Sequence, residues 1–564
     1  MKKKSFTGLL PVILVACLSA CGSSGSSDTS SATSAAGSST TSTASAGSTT
    51  TTAAAAVDES ITATETTGDF SVTTDDGVYA SSDGIVTISS AGTYTLQGLL
   101  EGQIVVEAGE EDDITLELSN ATIKYGKDSP IKVVSAGNVD ISAKSDTENI
   151  ISDERSAKAS DDESQGEGAI YAGCDLKIKG TGTLVINAAY NNGIHTTKDL
   201  TIQKLSLKVT AYGNALKGND SVTVLSGNTV AVSTNGDGIK TQNTDADKSG
   251  NTRGDVTISG GSVSVYAAGD GIQAAHSFEL STGEAGTAPS LSVYTGSYSS
   301  YTADGASTTS YKGIKVQDEL RIIDGSISVM SYDDALHADY GTAFDDGTTG
   351  QGIVTISGGA FTTIVYSPEN KTANGNFGPG GWGNQQTVSG ADAIHSDNVI
   401  NISGGQVNID SSYEGIEANQ INISGGKTYV AANDDGINAT SGNATPAVNI
   451  TGGYLDVTVN PNADTDGIDS NGTYTQSGGI VIARGPNNEM SAALDADGTV
   501  LCSGGTVIIL GYGRPQTESG MESYSLSLHS EGSHTATIDG TSYTITNAYS
   551  YGQTICYSDV SVTD

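Results

Sequence analysis

From about Asp69 onward the chain alternates apolar and polar residues in short runs separated by glycine-bearing turns. Gly92-Thr93-Tyr94-Thr95-Leu96 and Ile114-Thr115-Leu116-Glu117-Leu118 are early examples. In Val256-Thr257-Ile258-Ser259-Gly260-Gly261-Ser262-Val263-Ser264-Val265, two runs flank one Ser-Gly-Gly turn. A period of two puts alternate side chains on opposite faces, so each run reads as a short, half-buried strand. No helical run of Leu, Glu, Lys and Ala interrupts the pattern.

The alternation is organised by a recurring cassette: an acidic or amide residue, then Gly or Ala, then Ile or Leu, then a polar residue. It reads Asn192-Gly193-Ile194-His195, Asp237-Gly238-Ile239-Lys240, Asp270-Gly271-Ile272-Gln273, Asp334-Ala335-Leu336-His337, Asp392-Ala393-Ile394-His395, Glu414-Gly415-Ile416-Glu417, Asp435-Gly436-Ile437-Asn438 and Asp466-Gly467-Ile468-Asp469. Where nothing is inserted the small residue returns every 21 to 24 positions, as from Gly193 to Ala215 and from Gly415 to Gly436. That interval is one coil of three short strands and three turns, so the expected fold is all-β, a right-handed single-stranded parallel β-helix. Coils stacked about 4.8 Å apart place the cassette Ile and Leu residues in an interior ladder from Ile170 to Leu494. The longer gaps, Lys240 to Val256, Gln273 to Tyr311, His337 to Ile353, Phe361 to Ala391 and Asn438 to Val448, are expected to be loops leaving the turns. Residues 58–153 are expected to form an N-terminal β region with the first coils, 154–512 the repeats, and 513–564 a C-terminal β cap that protects the end of the stack.

Ahead of the strands, Met1-Lys2-Lys3-Lys4 and the apolar run from Phe6 to Leu18 read as an export signal over 1–20. Leu18-Ser19-Ala20-Cys21 resembles the lipobox of bacterial lipoproteins, which implies lipidation of Cys21 and anchoring at the extracellular face of the cell membrane. Residues 21–57, almost entirely Ser, Thr, Ala and Gly, read as a flexible, disordered tether. The membrane is then reached through the anchor alone, and nothing in the repeat pattern asks for a second copy, so a monomer is expected.

Charge changes the picture of the partner. Asp and Glu total 65 against 25 Lys and Arg, a formal net charge of −40, which argues against nucleic acid and points to calcium as counter-ion. Cys174, Cys502 and Cys556 have no metal-ligand spacing and read as thiols or one unassigned disulfide.

Two places after each small residue lies a column expected on the surface: Tyr171, His195, Lys217, Lys240, Gln273, Lys315, His337, His395, Glu417, Asn438, Asp469 and Asp495. A linear file of cations and hydrogen-bonding groups suits an extended polymer of hydroxyls and carboxylates, making His195, Lys217, Lys240, Lys315, His337 and His395 candidate ligand-binding residues. Trp382, the only Trp, lies in a glycine-rich insertion and is a further candidate for stacking on a sugar face. Acidic residues make a second pattern: Asp237, Asp270, Asp333, Asp334 and Asp392, then Asp434, Asp435, Asp464, Asp466, Asp469, Asp495 and Asp497. Stacked carboxylates repel unless a cation sits among them, so these are candidate calcium ligands, although Asp before Gly is also ordinary turn chemistry.

Ala91-Gly-Thr-Tyr-Thr-Leu-Gln-Gly98 with Gln103-Ile-Val-Val106, Ile114-Thr-Leu-Glu-Leu118, Glu148-Asn-Ile-Ile-Ser-Asp153, Ala169-Ile-Tyr171 with Leu184-Val-Ile-Asn187, Asn192-Gly-Ile-His195, Ala215-Leu-Lys-Gly-Asn-Asp-Ser-Val222 and Gly236-Asp-Gly-Ile-Lys240 occur in that order. In this series the chain resembles the clostridial carbohydrate-binding β-helix proteins. The resemblance implies a fold similar to calcium-dependent pectate lyases, bound calcium, and cellulose or pectic galacturonan as the polysaccharide held. Cation bridges would let an acidic protein hold an acidic polymer. Two other readings stay open: a calcium-dependent polysaccharide lyase with Lys240 or Lys315 as base, and a surface adhesin or spacer.

Overall fold

The computed structural model describes residues 57–157, 168–296, 310–365 and 390–564, all within one compact unit, Ala44–Asp564. The described residues contain strands and no helix. Nearly every strand pairs in parallel with its equivalent one cassette earlier and one cassette later, giving a β-helix-like solenoid with three sheets. The cassette sheet climbs from Ile85–Ile88 through Asn192–Thr196 and Ile239–Lys240 to Ile468–Ser470. The second sheet includes Asp175–Gly180, Asp199–Gln203 and Asp255–Ile258. The third includes Thr183–Ala188, Ser206–Ala211 and Ser262–Ala267.

Register is fixed by the aliphatic ladder. Ile170, Ile194, Leu216, Ile239, Ile272, Ile314, Leu336, Ile394, Ile416, Ile437 and Ile468 are partners in succession, and all are fully buried. Slipping one residue would turn this file outward, and burying each such side chain contributes roughly 1.5–3 kcal/mol. The cassette glycine has a packing reason: a Cβ on Gly238 would lie 2.1 Å from Val265 Cγ1, and one on Gly271 2.2 Å from Val293 Cγ1. Ala215 occurs in the coil whose third strand carries Ala231, the register equivalent of Val265. Turns from second to third sheet are closed by glycines in the left-handed region, such as Gly405 and Gly426, both at φ 74°.

The insertions are unevenly placed. Between the cassette and second sheets lie the loop 241–254 and a hairpin whose strands Tyr340–Ala343 and Thr349–Gln351 pair antiparallel. The two touch, with the Asp345 N–H donating to Thr244 Oγ1 at 3.2 Å and Thr252 bonding Asp346. Segments 158–167, 297–309 and 366–389 fall between a third-sheet strand and the next cassette strand, outside the described residues. The expected loop from Gln273 to Tyr311 is corrected: it contains the strands Phe278–Leu280 and Ser290–Thr295, which carry the second and third sheets through that coil.

Both ends are covered. At the start, Tyr79–Ser82 pairs antiparallel with Ile85–Ile88. Residues 58–66 run in extended form along the outside of the third sheet, where Ile61 packs on Val230 and Val232 and the Thr64 N–H donates to Glu148. At the far end, Thr554–Ser558 pairs antiparallel with Val500–Leu510 and occupies its open edge. Gly532–Ile538, Thr541–Asn547 and Val562–Thr563 form a separate antiparallel sheet whose Ala536, Ile538 and Ile545 pack with Ile482 and Ile508. The fully buried Arg484 ties the two parts, donating from Nε to Asn547 Oδ1 at 2.8 Å and pairing with Asp456.

Candidate functional site

The first residue of each cassette has a structural task that explains its identity. In most of these coils its side-chain oxygen accepts the backbone N–H of the equivalent residue one coil later, Lys312 and Glu414 being the breaks in the ladder. Asn192 Oδ1 takes Asn214 N–H at 2.9 Å, Asn214 Oδ1 takes Asp237 at 2.9 Å, Asp237 Oδ1 takes Asp270 at 2.9 Å, and Asp270 Oδ1 takes Lys312 at 2.8 Å. The ladder resumes with Asp334 to Asp392 at 2.8 Å, Asp392 to Glu414 at 3.3 Å and Asp435 to Asp466 at 2.7 Å. One oxygen of each of these carboxylates is therefore committed to backbone, and only the other faces the column.

Three residues further on, the column stands in register. Tyr171, His195, Lys217, Lys240, Gln273, Lys315, His337, His395, Glu417, Asn438 and Asp469 are partners in turn. It is less exposed than its polarity suggests: His195 and His337 are buried, at 3% and 8% exposure. His195 Nε2 lies 3.2 Å from Asn219 Oδ1, and its ring meets Tyr171 edge-on at 5.4 Å. Lys217 Nζ donates to Gln242 Oε1 at 2.8 Å, and Lys240 Nζ to Asp237 Oδ2 at 2.8 Å. Lys315 pairs with Asp339 at 3.1 Å, while Asp333 and Asp334 hold Lys312, at 3.1 and 2.6 Å.

Above Lys315 two imidazoles stack, with the His337 and His395 ring centroids 4.7 Å apart and the planes 5° from parallel. Each ring touches carboxylates through both nitrogens. His337 Nδ1 is 2.8 Å from Asp334 Oδ2 and its Nε2 2.7 Å from Asp339 Oδ1. His395 Nδ1 is 3.0 Å from Asp392 Oδ2 and 3.1 Å from Glu417 Oε2, with Nε2 3.3 Å from Asp397 Oδ1. Burial would raise the Asp334 carboxyl, but the Lys312 ammonium and the His337 ring hold it well below the usual carboxylate range. Burial likewise works against charge on His395, yet Asp392, Asp397 and Glu417 raise its pKa well above the ordinary value.

Beyond His395 the cations stop among the described column positions, and four carboxyls there are raised. Burial, reinforced by Asp392, Glu417 and Asp435, pushes Glu414 up to about 10. Burial with Asp434, Asp466 and Asp469 takes Asp435 up to about 8. Asp466 rises to about 7, from burial and then Asp469 and Asp495, and Asp469 to about 6, from burial and then Asp495 and Asp497. Asp464 is exposed and accepts from Ser491 Oγ at 2.6 Å, and Asp497 is exposed. Asp434 through Asp497 thus form one electrostatic group, and Asp237 with Asp270 another, where burial and the Asp237 charge take Asp270 up to about 6.

Several residues of the site escape a search on the column alone. Lys312, Glu414, Asp339 and Asp397 sit at the first and sixth positions of their cassettes, and the sixth-position acids in Asp334-Ala-Leu-His-Ala-Asp339 and Asp392-Ala-Ile-His-Ser-Asp397 were the available signal. A groove of about 800 Å³ beside the cassette sheet adds Lys198, Lys248 and Arg253. Trp382 and Cys21 lie outside the described residues. Cys174, Cys502 and Cys556 are buried free thiols, raised by burial to about 11, 12 and 12.

The described residues thus form an all-β stack of mostly parallel strands with a polar file along its cassette sheet, bordered by the loop 241–254 and the hairpin at 340–351. The chain belongs to the family described as carbohydrate-binding domain-containing protein, which matches residues 82–362 and 341–436. A carbohydrate-binding domain-containing protein of Acetivibrio thermocellus is 36% identical over 128 residues, 22% of this chain and 45% of the relative's own length. This chain therefore spans less than half of that relative. A solved polysaccharide lyase-like protein from C. thermocellum, as its gadolinium derivative, is 33% identical over 39% of this chain and 84% of its own, with a TM-score of 0.35.

Proposed function

We propose that this protein is a cell-surface carbohydrate-binding protein whose cassette sheet holds a plant-type polysaccharide, cellulose or a pectic galacturonan, with calcium in the acidic upper coils. The observation that carries the reading is the placement of the insertions. Among the described residues, the loop 241–254 and the hairpin at 340–351 leave the border of the cassette sheet that faces the second sheet. Chain length varies least where the second sheet turns into the third, on the side away from the column, and variable loops on a rigid frame are where recognition is built. Lys217 and Lys240, one coil apart, and Lys315, two coils beyond Lys240 with Gln273 between, present cations along the file of stacked strands to the carboxylates or hydroxyls of an extended chain. A right-handed winding fits this frame, since each return to the same sheet is a parallel crossover.

The calcium assignment is supported by Asp435, Asp466 and Asp469, whose carboxyls are raised by burial and then by neighbouring carboxylates. Calcium takes six to eight oxygens in flexible sites and would offset the mutual repulsion of such carboxylates. Lipidation at Cys21 would place the protein at the extracellular face of the membrane, and loss of labelling by a fatty-acid probe in Cys21→Ser is the check.

Retention of the purified protein on insoluble cellulose and on pectin, with calcium and with chelator, tests binding. We expect retention that falls at least tenfold in a Lys217→Ala/Lys240→Ala/Lys315→Ala variant, with chelator weakening pectin binding more than cellulose binding. No retention on either polymer under any condition sinks the reading and leaves an adhesin or spacer. The lyase alternative needs a lysine as base, but the Lys240 and Lys315 ammoniums are each engaged by a carboxylate. Sustained formation of unsaturated product from polygalacturonate, lost in Lys240→Ala or Lys315→Ala, would replace holding with cleavage.

A further inference from the structure

The stacked histidines are not explained by polysaccharide holding or by calcium. Around His395 Nδ1, Asp392 Oδ2 stands at 3.0 Å and Glu417 Oε2 at 3.1 Å, and all three atoms lie within 4.8 Å of one another. An imidazole nitrogen carries at most one proton, which can be aimed well at only one of two acceptors. The rest of the shell is already arranged. His395 Nε2 is braced by Asp397 Oδ1 at 3.3 Å, and Asp397 is itself held by the Tyr340 N–H at 3.0 Å. Asp392 spends Oδ1 on the Glu414 N–H, leaving Oδ2 for the site. A metal-ligating histidine characteristically gives its other ring nitrogen to a carboxylate, which fixes the tautomer and frees the first nitrogen's lone pair.

The coil below supplies a built-in comparison. Asp334, His337 and Asp339 repeat the same spacing, but there the Lys312 ammonium sits 2.6 Å from Asp334 Oδ2. The chain provides its own cation in that coil. At the equivalent position in the next coil stands Asp334 itself, one of the ladder acids, and the first residue two coils on is Glu414 in place of a lysine.

We infer that His395 Nδ1, Asp392 and Glu417 form a binding site for a first-row divalent transition metal of the zinc class. One nitrogen and two carboxylate oxygens on a common side match a three-ligand zinc site with an open fourth position. Bonds of 2.0–2.2 Å separate tetrahedral ligands by roughly 3.4 Å, so His395 Nδ1 needs to part from each of the two carboxylate oxygens by only a few tenths of an ångström. Calcium is the wrong ion here because it takes oxygens in larger number, whereas imidazole selects zinc, copper, nickel or iron. The site is separate from the calcium proposed for the upper coils and stands whether or not the sheet holds polysaccharide.

Isothermal titration of the full chain, stripped with chelator and refilled with excess calcium, tests the inference. We expect one equivalent of Zn²⁺ to bind despite the calcium, and Co²⁺ to give visible ligand-field absorption. Affinity should fall at least tenfold in Glu417→Gln and further in His395→Gln, which retains a hydrogen-bonding amide without an imidazole, with unchanged circular dichroism confirming the fold. Absence of a calcium-resistant zinc equivalent, or zinc bound as tightly by His395→Gln, overturns the site.

Discussion

Asp435 shows how one side chain serves packing and charge at once. Its Oδ1 accepts the Asp466 N–H at 2.7 Å, while burial among Asp434, Asp466 and Asp469 takes its pKa up to about 8. Asparagine retains the acceptor and removes the charge, as Asn192 and Asn214 do lower in the same ladder. In chelator at pH 8, Asp435→Asn is therefore expected to melt above the parent. Asp435→Ala, which leaves a backbone N–H without its partner, is expected to lose about 1–3 kcal/mol for that group, partly offset by removal of the charge. Thermal melts of both variants check the ordering. The same residues set a pH dependence. Asp435, Asp466 and Asp469 have folded values of about 8, 7 and 6 against 3.8 unfolded, so the folded state holds more protons across that window. Their contribution is full below pH 3.8 and is lost as pH rises through about 6 to 8. Melting in chelator is expected to drop by several degrees from pH 5 to pH 9, and calcium to flatten the slope; a rise over that range contradicts the assignment. The column was legible residue by residue because every member follows a Gly or Ala by two. Its burial was not, since His195 and His337 are enclosed by neighbouring coils that a linear pattern does not show.

At the scale of the coil, glycine and valine are matched. Gly193 faces Val209, Gly238 faces Val265, Gly313 faces Val329 and Gly436 faces Val457, each leaving 2.1 to 2.3 Å between a built Cβ and Val Cγ1. Gly238→Ala is expected to cost about 1–3 kcal/mol from overpacking. Adding Val265→Ala reproduces the Ala215 and Ala231 pairing of the coil below and is expected to recover part of the loss. A double-mutant cycle by denaturant unfolding measures the coupling, and additive losses would show that the two side chains do not compete for space. The ladder and the number of strands per coil were readable because Ile and Leu recur at a nearly constant interval. The stretch from Gln273 to Tyr311 was misread as one loop because its extra length is divided between two places, Ser281 to Pro289 and 297–309, around the intact strand Ser290–Thr295. A period measured on one position per coil does not reveal such a division. Capping was anticipated, but pairing of Thr554–Ser558 along the open edge depends on contacts distant in sequence.

For the whole molecule, a formal charge of −40 is distributed along the stack. Along the cassette file, among the described residues, lysines stand at Lys217, Lys240, Lys312 and Lys315, histidines at His337 and His395, and, apart from Glu417 beside His395, acids without a nearby cation at Glu414, Asp435, Asp466 and Asp469. Under the proposed function, a polymer lying along this face would meet first cations and then carboxylates, with direct contacts in the lower coils and metal-bridged contacts in the upper ones. Central to the proposed function is the cassette sheet, bordered by the loop 241–254 and the hairpin 340–351, as the binding face. Hydrogen–deuterium exchange of the calcium-loaded protein, with and without saturating oligogalacturonide, tests it most directly. The account predicts slower exchange in the loop 241–254, the hairpin 340–351 and the cassette strands from Asn192–Thr196 to Leu336–Ala338. Protection confined to the third sheet around Tyr266 and Tyr294, with the cassette sheet unchanged, would contradict it.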